Sequence, residues 1–314
     1  MSKGEQSPPL RYFSTYPELE DIKAPLHAIK SSAEEKKKFY PSTFHALVHD
    51  DNPYLLTGYR KMPVDCFRKC TESVLTLHND VVNIWSHLLG ALYLLYAWWT
   101  AWQEMSALNV SLEERIAFSL NLLGTVVTFL ISAGYHTYRP HSESVYHFCL
   151  ACDLRGICLM TFVGNALTIS LAMRSMIHWR SVWLTINFVI LVSLNLWIPK
   201  MVKHRLTMQR TLYFSVHAGM SAFCWVHRYI FLTNYQHEHE STLRWRHLRH
   251  IGVSYIFVSL GLIIKVFHLP ERWFPKTFDM FGASHQLFHF ITTAGAIVSH
   301  HYVMDMMREG IFTK

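Results

Sequence analysis

Ser284-His285-Gln286-Leu287-Phe288-His289-Phe290-Ile291-Thr292-Thr293-Ala294-Gly295-Ala296-Ile297-Val298 is the stretch on which the reading of this chain turns. It opens an apolar run over residues 285–306. Such a run is long enough to cross the ~30 Å hydrocarbon core of a bilayer as one helix. In a helix, His285 and His289 stand at i and i+4, one above the other on one face. Two imidazoles so placed suit a single metal ion, and a catalytic zinc typically has three protein ligands plus a water. In a chain with 21 histidines, the same spacing is equally that of a helix start with two solvated rings.

Six more apolar runs precede it, at roughly 82–104, 115–136, 146–172, 179–199, 210–232 and 250–269. Short connections between them suit antiparallel neighbours. Of the 314 residues, 51% are hydrophobic and only 16% are charged. A soluble domain usually carries about 25% charged residues. The pattern predicts an all-α protein, a seven-transmembrane helical bundle at 76–306. A cytosolic N-terminal arm at 1–75 precedes it, with a juxtamembrane helix, and a short tail at 307–314 follows. The net charge of +7 belongs to membrane-surface loops, since no nucleic-acid motif accompanies it. Residues 1–10 are polar, unlike a cleavable signal peptide. Cys149 and Cys152 form a C-x2-C without the second pair that a zinc ribbon needs. Cations near the span ends nearly balance on the two sides, so charge alone orients the bundle weakly.

Ionisable residues inside a span are costly and point to function. His136 ends the second run, Asp153 lies two turns into the third, and His285 and His289 open the seventh. Alternating span direction brings all four to one membrane level, near the N-terminal face. Three imidazoles and a carboxylate suit a zinc shell. Asp153 either binds directly or takes a proton from a metal-bound water, whose pKa a metal lowers to about 7. Ser132, one turn before His136, either donates to that water or to an oxyanion, or serves as a small packing residue. Other histidines read as structural. His237-Glu238-His239-Glu240 is a solvated loop, His217 and His227 are satisfied by neighbouring helices or interfacial, and His300-His301 lies at the far interface. Arg228 and Lys265, near span ends, can snorkel.

Taken together, the motifs carry a resemblance. Leu77-His78-Asn79-Asp80-Val81-Val82-Asn83-Ile84-Trp85-Ser86-His87-Leu88-Leu89-Gly90 is similar to the segment that opens the first span in the progestin and adipoQ receptor family. Ser132-x3-His136, followed by Asp153, resembles its second motif. Pro270-Glu271-Arg272-Trp273-Phe274-Pro275 with Ser284-His285-Gln286-x2-His289 resembles its third. Asp80 stands where the family usually has Glu. The resemblance implies seven transmembrane helices, a cytosolic N-terminus, and an intramembrane zinc held by His136, His285 and His289, with Asp153 acting through a bound water. It further implies one of several roles. Adiponectin-receptor-like members are associated with hydrolysis of ceramide to a fatty acid and sphingosine. Others respond to a steroid or protein ligand, and one branch is a Golgi scaffold that retains a signalling kinase through cytosolic contacts. The location implied is the plasma membrane or the Golgi.

Overall fold

The computed structural model describes residues 52–228 and 239–309, without the side chains of 239–247 and 251. Most of the predicted N-terminal arm, the His237-Glu238 pair and the end of the tail lie outside the described residues.

Every described element is helical. A short helix α1 (Phe67–Glu72) and a single 3-10 turn lead into α2 (Val81–Ala107). Then follow α3 (Leu112–Tyr138), α4 (Glu143–Ala172), α5 (Ile177–Lys203), α6 (Thr207–Val226), α7 (His239–Phe267) and α8 (Ser284–Arg308). Each long helix coincides with one of the predicted apolar runs. Five regions, in α2, α3, α4, α5 and at Leu248–Phe267 of α7, are long and apolar enough to cross a membrane. α6 and α8 are long helices but fall short on apolarity. The reason is visible in α8, whose inner face carries Ser284, Gln286, His289 and His300 in buried positions.

Local chemistry sets the helix starts. Ser111 accepts from the Glu114 amide at 3.3 Å and donates to the Glu114 carboxylate at 2.8 Å, a reciprocal cap that begins α3. Ser142 accepts from the Val145 amide and begins α4. The N-cap position of α8 is Ala283, which has no capping side chain. The buried carboxylate of Glu271 supplies the missing acceptor, taking the Ser284 amide at 2.8 Å and the Ser284 hydroxyl. An anion at a helix N-terminus also complements the positive end of the helix dipole.

α2 packs against both α3 and α8, α4 against α3, α5 and α6, and α7 against α8. Leu94, Phe118, Leu122, Phe129, Met304 and Met306 fill the space between α2, α3 and α8. Where lipid surrounds a bundle, association depends on close packing and interhelical hydrogen bonds rather than on apolar burial. Both occur where the Thr128 hydroxyl of α3 donates to the Gly156 carbonyl of α4 at 2.8 Å, the glycine admitting the threonine. Leu89, Leu92, Tyr96, Phe188 and Leu196 point outward, giving the helices an apolar outer surface that suits lipid rather than water.

Residues 52–60 form a strap across the start of α2 and the loop before α8. Asn52 donates to Glu271 at 2.7 Å. The Leu56 and Thr57 amides and the Thr57 hydroxyl all donate to Asp279. Gly58, at φ +79°, accepts from the Asn79 amide, and a Cβ there would collide with the Met280 sulfur. Gln286 completes the lacing by donating to the carbonyls of Asn79 and Met280.

Candidate metal centre

The strap and the Glu271 cap fix where α8 begins, and hence which way His285 and His289 face. α3 delivers His136 to the same point. One ligand nitrogen from each of the three imidazoles lies within 4.8 Å of the others. The Nε2 atoms of His136 and His285 are 3.2 Å apart. Tetrahedral zinc with Zn–N distances of ~2.0–2.1 Å holds its nitrogens about 3.4 Å apart, so this pair has the spacing of ligands to one ion. His136 and His289 are buried, and His285 is half-buried.

The rings are oriented from behind. His136 Nδ1 lies 2.9 Å from Asp80 Oδ1, and His289 Nδ1 lies 3.2 Å from the Asn83 carbonyl oxygen and 3.4 Å from Ser86 Oγ. A carbonyl oxygen only accepts, so His289 carries its proton on Nδ1 and turns the lone pair of Nε2 inward. Carboxylate–histidine pairs of the Asp80–His136 kind commonly orient metal ligands and raise their basicity. The donor set and its support therefore fit zinc.

Asp80 is the hub of this outer layer. Arg60 reaches it at 3.1 Å and Arg139 at 3.3 Å. Burial alone would raise the Asp80 pKa, but Arg139, His136 and Arg60 together hold its carboxyl well below the usual range, so it stays ionised. Arg60 also caps the end of α3, donating to the Thr137 carbonyl at 2.9 Å and to the His136 carbonyl. Beside it, burial pushes the His78 imidazole down to about 4.

Nearby lies the half-buried carboxylate of Asp153, within electrostatic reach of both Ser132 and His136. All five residues singled out from the sequence thus converge at one end of the bundle. The sequence reading missed the orienting role of Asp80, which it noted only as a change from the usual Glu. It also missed Arg60, Glu271 and His87. The signal for Asp80 was available, as an acidic residue just before the first apolar run.

Three other assignments change. His300 is buried beside Phe118 rather than interfacial, while the neighbouring His301 sits at the surface, 2.8 Å from the Tyr93 hydroxyl. Arg228 is buried instead of reaching out to the surface. Lys265 does not simply snorkel. Its ammonium lies 4.7 Å from the centre of the Phe288 ring, within electrostatic reach of Asp153 and His285. His217, expected to be satisfied by neighbouring helices, is so at one nitrogen only, its buried Nδ1 having no partner among the described residues. It is fully buried, with Nε2 3.0 Å from Asn187 Oδ1 and its carbonyl accepting from Asn165. Cys149 and Cys152 are both free.

Helices clad in apolar residues around a buried cluster of three histidines define a membrane protein with a polar centre near one face. A family model described as haemolysin-III related matches residues 75–300, and the chain belongs to that family. The resemblance to progestin and adipoQ receptors holds across the relatives. The chain is 27% identical to an adiponectin receptor protein of Drosophila melanogaster, over 82% of this chain and 56% of that one. It is 28% identical to progestin and adipoQ receptor family member 3 of Homo sapiens, over 77% of each. It is 28% identical to membrane progestin receptor gamma of Mus musculus, over 75% of this chain and 71% of that one. The chain thus spans little more than half of the Drosophila protein. It is a multi-pass membrane protein of a receptor-like family.

Proposed function

We propose that this chain crosses the membrane seven times with its N-terminus in the cytosol, binds one zinc through His136, His285 and His289, and hydrolyses the amide of a ceramide-type lipid. The observation that carries the reading is the meeting of three imidazoles from α3 and α8 with a carboxylate from α4. When bound, zinc supplies a Lewis acid that polarises a carbonyl and eases deprotonation of water. A set of three protein ligands favours chemistry over a purely structural ion, which is usually enclosed by four.

The chain's own residues do the rest. Asp80 and the Asn83 carbonyl hold the His136 and His289 rings in place. Asp153 accepts a proton on a carboxylate oxygen from the attacking water. It returns that proton to the leaving nitrogen as the C–N bond breaks, releasing a fatty acid and an amine. Ser132, beside Asp153, steadies the carboxylate by donating its hydroxyl proton to it. Half-burial of His285 and Asp153 gives a lipid an approach from the side.

The test is ceramide hydrolysis in nanodiscs, wild type beside Asp153→Asn, with zinc measured in both. Asn keeps the shape but cannot take the proton. Turnover should fall about 10²–10⁴-fold with zinc retained. Equal turnover in both proteins refutes the mechanism.

The names of the relatives, adiponectin receptor and membrane progestin receptor, support a second reading, a receptor for a protein or steroid ligand; the family resemblance adds a scaffold that holds a cytosolic kinase through residues 1–75. The plasma membrane suits the receptor and the Golgi suits the scaffold. Absence of turnover in the wild type, with zinc bound and a range of sphingolipids tried, selects this reading. Deleting residues 1–51 should then abolish any scaffolding.

A further inference from the structure

One turn deeper than the three histidines lies a group of buried polar atoms that the chemistry above does not use. His87 of α2 is 5% exposed, and its ring is sandwiched between two others. One face stacks on His289 at 3.8 Å and 10°, the other on Phe129 at 4.4 Å and 5°. Both faces are therefore covered, and the ring can interact further only through its edge. That edge carries Nδ1 and Nε2, and neither has a hydrogen-bond partner among the described residues. Thr293, one turn below His289 on α8, also has a buried hydroxyl without a partner, and so does Oδ1 of Asn83, one turn above His87 on α2.

These groups are neighbours. A Cβ on Gly90, one turn below His87, would meet Thr293 and the Phe129 ring, so His87 and Thr293 border the same phenylalanine. Below them the interior is closed by Leu94, Phe118, Leu122 and Val126. Buried polar atoms in native proteins nearly always have a partner, so an unpaired cluster beside a metal centre points to a ligand.

The chemistry of the cluster narrows that ligand. A neutral imidazole offers one donor and one acceptor, and a threonine hydroxyl offers both. The group with matching capacity is another hydroxyl. The titratable groups within electrostatic reach of His87 are the imidazoles of His136 and His289. An alkyl chain would leave the nitrogens unpaired.

We propose that His87 and Thr293 form a hydrogen-bonding subsite, directly beneath His289, that takes a hydroxyl group of the lipid. This rests on the lipid-amide reading. It adds that the part of the substrate pointing into the bundle is the hydroxylated side of the amide, while the alkyl chains leave sideways. Sites built around buried hydrogen-bonding groups reject analogues that lack the matching group.

The experiment compares two probes on the full zinc-loaded chain in nanodiscs, N-oleoyl-sphinganine, which bears hydroxyls, and N-octadecyl oleamide, which has none. Dissociation constants are read by displacement of a fluorescent amide lipid. The wild type should prefer the hydroxylated probe about tenfold. His87→Phe keeps the stack on His289 and Phe129 but removes both nitrogens. Thr293→Val keeps the shape but removes the hydroxyl. Each should abolish most of the preference, with the loss falling on the hydroxylated probe and zinc content preserved. If His87→Phe fails to fold or loses zinc, Thr293→Val alone decides. Equal binding of both probes by the wild type, or an unchanged preference in both variants, overturns the subsite. A preference lost in the variants with no hydrolysis by the wild type keeps the subsite and removes the hydrolase. Hydrolysis with an unchanged preference in the variants does the reverse. Failure of the wild type to bind either probe overturns both.

Discussion

Replacing Asp80 tests the orienting layer behind the proposed metal site without touching any of its three histidines. Its carboxylate takes part in four contacts, with His136 Nδ1 at 2.9 Å, Arg60 at 3.1 Å, Arg139 at 3.3 Å and the Asn83 side-chain amide at 3.4 Å. The side chains of Asp80, His136, Arg60 and Arg139 are nearly sealed from solvent, with exposures between 0% and 12%. Asp80→Asn keeps the shape and leaves an oxygen able to accept from His136, but it removes the negative charge. Two effects follow. The His136 ring loses its basic partner, and loss of such a partner commonly costs 10–100-fold in metal affinity. That range is about 1.4–2.7 kcal/mol at 1.36 kcal/mol per tenfold. The guanidiniums of Arg60 and Arg139 also lose their shared counter-ion, and breaking a buried pair destabilises by roughly 3–5 kcal/mol. Zinc affinity should therefore be measured by chelator competition on the monodisperse fraction, and stability followed separately by thermal unfolding. Asp80→Glu, which restores the charge, should recover most of both. Zinc affinity within twofold of wild type in well-folded Asp80→Asn protein would refute the orienting role.

His289→Ala should remove most bound zinc, as should His285→Ala, because each takes one of three imidazoles; a double variant that keeps one equivalent of metal sinks the site. Glu271→Ala should lower the melting temperature by several degrees and weaken zinc binding as well, since the carboxylate caps α8 just before His285; unchanged stability would mean the cap is dispensable. Tags at the two ends should report opposite sides of the membrane in selectively permeabilised cells; both on one side would exclude seven spans.

Much of the arrangement could be read before any coordinates. Apolar runs of membrane-spanning length located every long helix, because run length and composition are properties of the chain alone. The three-histidine cluster was also legible. His285 and His289 share a face by helical period, and the alternation of span direction put His136 and Asp153 at their level. The error over His300 has the same origin as these successes. Distance along a helix gives depth, but it does not say which neighbour covers a given face, and here Phe118 of α3 covers His300.

The sequence by itself determined the helices, their order and the level at which the ionisable residues lie, since periodicity and hydropathy are local. Only the tertiary structure decided what stands behind each ligand. Asp80 meets His136 across 56 positions of chain, and Glu271 caps a helix 13 residues away while holding Asn52 from 219 residues upstream. Those pairings depend on how α2, α3 and α8 pack together, and no local pattern encodes them. The same holds for His87. Its place in the sequence marks only a polar residue in an apolar run, and it takes the packed rings of His289 and Phe129 to leave its nitrogen-bearing edge open to a partner.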